Sequence, residues 1–529
     1  MKARRWLRVL LFALVAVVTL AALALAIENY RGRRAWEAYR AQLESKGEVL
    51  DWMRLVPAAV PDDQNFAMTP LLAPFTETVM DPQTRQPSYR DTNACARLEK
   101  ELAWTQHLPA VAGGWREGTP VDLRSWQVAL RGQTNASEAV LQAMAGRPRG
   151  APVEDLQFIL AQQQAVLKEL REAVGRPGVN FKIRYEDGLG LLLPKFSLFK
   201  GMARLFQVSA LVELAAGNTD AACAEIVVLL ELSRKTSSEP LLIATLVRQA
   251  VTQLALEPVW EGLVRHQWQE AHLRRIEAAL ERANLVADAH RCLVGERSFM
   301  LAILGGGSEP GGKEGPAGSV EARLLRRYPS GWRHQNQLAI ARMFHEAILP
   351  AYRPDGPSVD LAASEAVRDE WKIRGDWTRK RVWHPYRIFA QLLMPAIEGV
   401  ATKTARNQAV VSQARVACVL ERHRLTRGQY PLSLEALCPQ FADRLPPDPV
   451  NGQPFRYRCV PEGYVLYSIG EDLVDDQGAP VAKERGTSPG TRQAKGDWVW
   501  LGHEKAAGPA GALGRDAAAA QPPGLDQTP

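Results

Sequence analysis

The hydrophobic pattern begins with an uncharged run, Val9 to Ile27, and about 20 apolar residues are what a helix needs to cross a bilayer. Lys2, Arg4, Arg5 and Arg8 precede it. A cationic leader stays in the cytoplasm and sends the remainder outward, although Arg31, Arg33, Arg34 and Arg40 follow closely and weaken the asymmetry. Residues 1–27 are expected to be a cytoplasmic leader and a single-pass anchor in the cytoplasmic membrane, with the bulk of the chain periplasmic. Ala24-Leu25-Ala26 also has the small-x-small form of a cleavage site, so a cleaved signal peptide is the rival reading. Both place the body outside the cytoplasm.

From Glu28 to Lys46 the spacing of Tyr30, Trp36, Tyr39 and Leu43 predicts a helix leaving the membrane as a stalk. Val60 to Pro70 then breaks regularity with two prolines and several turn-formers, predicting a well-defined loop within an irregular region, 28–149. Residues 150–304 are helical in pattern. Met202, Leu205, Val208, Val212 and Ala215 form one apolar stripe that Gly217-Asn218 ends, and Thr219 with Asp220 is expected to cap the next helix, carrying Cys223, Val227 and Leu230. A third helix is expected from Pro240 through Leu242, Leu246, Ala250 and Leu254, stopped by Pro258. Gly305 to Gly318 is glycine-rich with Pro310 and Pro316, a flexible linker. Region 319–386 is helical from Val320 to Ala351 and then irregular through Trp371, Trp377 and Trp383, aromatic residues that more often fill a core than bind a ligand. The alanine-, glycine- and proline-rich tail, 503–529, is expected to be disordered.

Region 387–502 changes period. A long amphipathic helix from Arg387 through Ile397, Val400, Val411, Val416 and Leu420 runs to the turn Arg427-Gly428-Gln429. A short helix, Leu434 to Leu437, follows. Two strand-like runs, Phe455 to Arg458 and Tyr464 to Ser468, flank a Pro-Glu-Gly turn, predicting an antiparallel hairpin packed on the helix. The fold class expected is mainly α: an N-terminal transmembrane helix, an irregular bundle of helix hairpins, and a small C-terminal α+β domain.

The basic, glycine-tyrosine-proline turn of Leu425 to Pro431, the Leu445-Pro446-Pro447-Asp448-Pro449 element, Asn451 to Tyr457 and Leu466-Tyr467-Ser468-Ile469-Gly470 resemble the globular domain of type II secretion major pseudopilins. The resemblance covers about residues 405 to 480. In that family the loop after the Tyr-Ser-x-Gly strand can bind calcium, which implies Asp472, Asp475 and Asp476 as candidate ligands, with carbonyls and water completing a shell of about six to eight oxygens. Leu473 stands where the family usually has glycine. The family's leader, glycine cleavage site and Phe-Thr-Leu-Ile-Glu-like start are missing, and the apolar segment lies hundreds of residues upstream. The chain is therefore not expected to polymerise as a pilin subunit. Val60 to Pro70 resembles a recurrent N-terminal element of large uncharacterised envelope proteins from Verrucomicrobia and their relatives. Ala210 to Leu232 loosely resembles one tetratricopeptide unit, but no second copy follows at that family's period of about 34 residues.

Composition adds little. In 529 residues with 46% hydrophobic and 23% charged positions, most of the chain can bury a core. The net charge of +7 is spread among many glutamates, whereas a nucleic-acid surface concentrates its arginines. No nucleic-acid partner is expected. Six cysteines, Cys95, Cys223, Cys292, Cys418, Cys438 and Cys459, have no metal-ligand spacing. Cys438 and Cys459 fall in one small domain, where a bridge and two free thiols are both open readings. His345-Glu346 lacks the second histidine of a zincin helix, and no nucleophile elbow, P-loop or dinucleotide fingerprint is present. His266 and His272 do not share a helix face and are expected to be surface residues. Glu186-Asp187 before Gly188 is turn chemistry.

Every recognisable part is thus a structural or binding part. The expectation is a non-enzymatic, membrane-anchored extracytoplasmic scaffold or adaptor presenting its pseudopilin-like domain to envelope proteins, with no catalytic residues and no cofactor beyond calcium. The alternative is an envelope enzyme whose dispersed residues meet in a cleft of the helical region, recognisable by carboxylates or histidines of shifted pKa lining that cleft.

Overall fold

A computed structural model describes residues 2–80, 87–109, 113–132, 144, 146–305, 328–371, 386–397, 399–480 and 496–505. The linker expected within 305–318, Trp377 and Trp383, and the tail beyond residue 505 lie outside the described residues. The fold is mainly helical. In chain order the helices are α1 (Lys2–Ser45), α2 (Thr92–Gln106), α3 (Gly114–Glu117), α4 (Leu123–Arg131), α5 (Pro152–Gln162), α6 (Gln164–Gly175), α7 (Phe196–Ala215) and α8 (Thr219–Lys235). They continue with α9 (Leu242–Val264), α10 (Glu270–Glu281), α11 (Leu285–Gly305), α12 (Ser330–Arg342), α13 (Leu361–Trp371), α14 (Ile388–Ile397) and α15 (Val400–Arg427). Antiparallel pairs of three-residue and two-residue strands are formed by β1 (Thr78–Met80) with β2 (Pro87–Tyr89), and by β3 (Tyr352–Arg353) with β4 (Ser358–Val359), respectively. Near the C-terminus β5 (Arg456–Val460), β6 (Gly463–Ser468) and β7 (Trp498–Leu501) make one antiparallel sheet in that order.

α1 is the one helix among the described residues long and apolar enough to cross a membrane, a property that signal sequences share. Its apolar side chains are exposed nearly throughout from Trp6 to Ile27. Beyond Glu28 the helix continues without a break, yet it is not a free stalk. Trp36, Tyr39 and Leu43 are buried because α1 lies along α12. Gly32 and Gly331 make that approach possible: a Cβ on either would collide with the other helix's backbone.

α7, α8 and α9 form the centre of the bundle, each packed on the other two. Gly217, at φ +83°, closes α7 with the Asn218 N–H donating to Glu213 O and the Gly217 N–H to Leu214 O. The expected cap at the next helix does not form. Asp220 instead faces His272 Nε2 at 2.6 Å, and His272 is buried, not a surface residue. Pro258 does not stop α9, which runs on to Val264. A proline orphans the carbonyl four residues earlier; here that carbonyl, Leu254 O, accepts from Gln207 Nε2 at 2.9 Å. The loop at Val60 to Pro70 is well defined, as expected: buried Asn65 donates through its Nδ2 to Asn180 O, and its Oδ1 accepts from Asn180 N and Ala67 N.

The single long helix expected from Arg387 is two, α14 and α15, separated by Gly399 in the left-handed region at φ +78°. The hairpin of β5 and β6 forms as expected, and β7 adds a third strand that the sequence pattern missed. α15 is no free seam. It packs on α9, α10 and α11 as well as on β6 and β7, so one continuous core extends from Trp36 to Trp500.

Candidate functional site

The sequence elements that set residues 405–480 apart converge on Asp448, which is buried. Its carboxylate accepts from Val450 N at 3.1 Å and Ser468 Oγ at 2.9 Å. Its backbone N–H donates to Gln453 O and its carbonyl accepts from Gly452 N. The Leu-Pro-Pro-Asp-Pro, Asn-Gly-Gln-Pro and Tyr-Ser-Ile-Gly pieces are therefore knotted by one residue, through its backbone and its side chain together. Burial pushes this carboxyl up to about 6, against the hydrogen bonds it accepts from Val450, Ser468 and Ile469. The Tyr-Pro turn is fixed the same way: Tyr430 Oη donates to Glu421 on α15 at 2.7 Å, and Tyr457 Oη donates to Pro431 O.

The acidic loop is organised within itself. Asp472 accepts from Val474 N, while Asp475 accepts from Tyr467 Oη and Gln477 N and lies 3.4 Å from Arg456. Asp476 accepts through its carbonyl from Ala479 N. Asp472, Asp475 and Asp476 are not gathered into a shell. Among the described residues no group of three or more His, Cys, Asp and Glu side chains stands closely enough to hold a metal ion, so the three carboxylates do not by themselves make a calcium site. Sequence reasoning missed a nearby acid, Asp497. It is buried, its Oδ2 accepts from Gly478 N at 2.7 Å, and its Oδ1 has no hydrogen-bond partner. Burial and the neighbouring charges of Asp475 and Asp476 push its carboxyl up against the backbone N–H groups of Gly478 and Asp476. Cys438 and Cys459 are free thiols, half-buried and exposed.

β7 is also the face by which this sheet is joined to the helical body. Trp500 stacks on Trp115 at 5.9 Å, Trp260 Nε1 donates to Leu501 O, Gln413 Nε2 donates to Trp498 O, and Lys505 N donates to Gly118 O. Beneath it lie two buried carboxylates of α9. Glu257 takes the Gly114 N–H on both oxygens, and Glu261 takes the Val121 N–H at 2.7 Å. Burial pushes them up to about 8 and about 7. Glu239, hydrogen-bonded by Tyr185 Oη, is likewise pushed up to about 7 by burial. Nothing in a single sequence marks the tertiary partners of these acids, Gly114, Val121 and Tyr185, which are 54 to 143 residues away.

Two adjoining depressions lie elsewhere. One is bounded by Phe75, Tyr89, Phe181, Arg184 and Asp187, the other by Phe66, Phe199 and Met202, and both are shallow. Asp187 is held by Arg184 at 3.1 Å. Glu239, Glu257 and Glu261 line neither; each is spent on anchoring a loop or a tyrosine. No family model, curated protein or solved structure matches this chain.

Proposed function

We propose that the chain is a membrane-tethered, extracytoplasmic scaffold in which α1 anchors a rigid helical body and the C-terminal α+β unit, pseudopilin-like in its motifs, is presented to envelope proteins in the periplasm. The observation carrying this reading is the way the C-terminal unit is built into the body: α15 belongs to the common core, while the turn beyond it leaves Leu432 91% exposed. A rigid mount with an exposed apolar tip suits display. Leu425, at the end of α15, and Leu473 and Val474, in the acidic loop, are exposed as well. The strongly shifted carboxylates favour structure over catalysis, since each already has a backbone or side-chain partner.

Removing residues 405–502 would extract a core helix, so the test uses surface substitutions in the full chain. Cross-linking in cells followed by detergent purification should recover envelope proteins with the unaltered chain and lose them with Leu432→Asp, while the melting temperature stays the same. Recovery of the protein alone, or identical recovery with Leu432→Asp and Leu473→Asp, would overturn display by this tip.

A further inference from the structure

The surface around α14 has a place in the molecule that identifies what covers it. Glu28 is the first charged residue after the apolar run and so marks the level at which α1 reaches the headgroups. Tyr386 hydrogen-bonds to Glu28, and Gly331 N donates to Asn29 Oδ1 at 2.6 Å. These contacts bring the first turn of α12, and the residues leading into α14, to that same level. α14 is then pinned to α12: Tyr328 meets Trp332 at 5.5 Å and Phe389 at 5.9 Å, and Asn336 Oδ1 accepts from Phe389 N.

α14 itself, Ile-Phe-Ala-Gln-Leu-Leu-Met-Pro-Ala-Ile, carries no charged residue between Arg387 and Glu398. Ala390 and Ile397 are turned to the protein, and Phe389 and Leu393 pack partly against the core, whereas Leu392 is 56% exposed. An apolar face next to tyrosine and tryptophan, at the level where an apolar helix emerges, has the composition of the membrane interface. Arg31, largely exposed one turn beyond the apolar run, suits anionic headgroups there.

We propose that α14 is an interfacial helix lying in the plane of the leaflet from which α1 emerges, with Leu392 and the uncovered edges of Phe389 and Leu393 facing the boundary between acyl chains and headgroups of an anionic phospholipid surface. It rests on the membrane anchoring of α1 proposed above and adds a second attachment, one that fixes the tilt of the body. A single helix leaves the body free to swing; a helix in the plane does not.

The full chain, with Cys438→Ser and Cys459→Ser to remove the accessible thiols, is labelled with an environment-sensitive dye at Leu392→Cys and reconstituted in vesicles of phosphatidylethanolamine and phosphatidylglycerol. Val15→Cys in α1 reports anchoring, and Leu432→Cys serves as the aqueous reference. Doxyl lipids labelled near the headgroup should quench residue 392 by about twofold or more, and aqueous iodide should reach it several-fold less than residue 432. Quenching by lipid at 15 with full iodide access at 392 overturns the interfacial helix and leaves the anchor standing. Shielding of 392 from iodide without lipid quenching also overturns it, because a protein surface then covers the face. Loss of lipid quenching at both 15 and 392 overturns the anchor and this inference together.

Discussion

Where α1 joins the body, two helices meet backbone to backbone at Gly32 and Gly331, with the Gly331 N–H donating to Asn29 Oδ1 at the crossing. Where α15 meets the body, charges are buried. Arg422, almost fully covered, donates to Glu270 at 2.9 Å, to Glu277 at 3.0 Å and to Phe441 O at 2.9 Å. Its neighbour Glu421 is bonded by His266, Arg424 and Tyr430; burial opposes its ionisation, but those three donors hold the carboxyl below its usual range. The first kind of joint depends chiefly on volume, although one imidazole there, His334 on α12, has its pKa lowered by burial. The second depends on the completeness of a polar network, and losing one member leaves the others buried and unpaired.

The largest effect that separates the joints is therefore expected from Arg422→Met. It keeps the aliphatic volume and strands Glu277, so the cost is on the order of 3 to 5 kcal/mol. Urea unfolding of the purified chain should show the midpoint falling with an unchanged slope. A loss below about 1 kcal/mol would mean the buried charges are not what holds α15.

The next effect concerns pH. Glu257 titrates near 8 in the fold and near its ordinary value when unfolded, so between about pH 4.5 and 8 the folded state binds the extra proton. Stability is then full at the acid end of that window and falls as pH rises through it. Glu239 and Glu261, both raised to about 7, act in the same direction. The melting temperature should decline from pH 5 to 8.5, and Glu257→Gln should flatten the decline by an amount on the order of a few kcal/mol. A profile that rises with pH, or one that Glu257→Gln leaves unaltered, would place the ionised form of this acid in the native state.

The two joints were also unequally legible in the sequence. Helix periods, the Gly217 turn and the hairpin of β5 and β6 rest on local chemistry, and the structure follows them. Pro258 shows where local reading ends: the signal for a stop is sound, but Gln207 on another helix satisfies the orphaned carbonyl. Gly399, which divides the long helix, is itself a stop signal with Pro395 four residues before it, and the apolar periodicity that runs through both outweighed them in the sequence. Asp448 could be found from its motif, Asp497 and Glu257 could not, since only tertiary distance gives them partners. The acidic loop, conversely, offered its carboxylates at close spacing in the sequence, yet in the fold they do not form a group that could hold a metal ion.

The smallest of these effects, on the backbone joint, comes from Gly331→Ala. One methyl added there meets the carbonyl oxygen and carbon of Glu28 and the amide of Asn29, groups that cannot rotate away, so α1 must shift outward. Overpacking of this kind costs about 1 to 3 kcal/mol. The damage should stay local, because Trp36, Tyr39 and Leu43 further along α1 retain their own burial. Hydrogen exchange should speed up for amides of α1 between residues 28 and 36 and for the start of α12, with α9 and α15 unchanged and the pH profile parallel to that of the parent. Since α14 is pinned through α12, the lipid quenching at residue 392 should weaken with it. Faster exchange spread equally over α15 would mean that the two joints are one cooperative unit, and the contrast between volume and charge would lose its force.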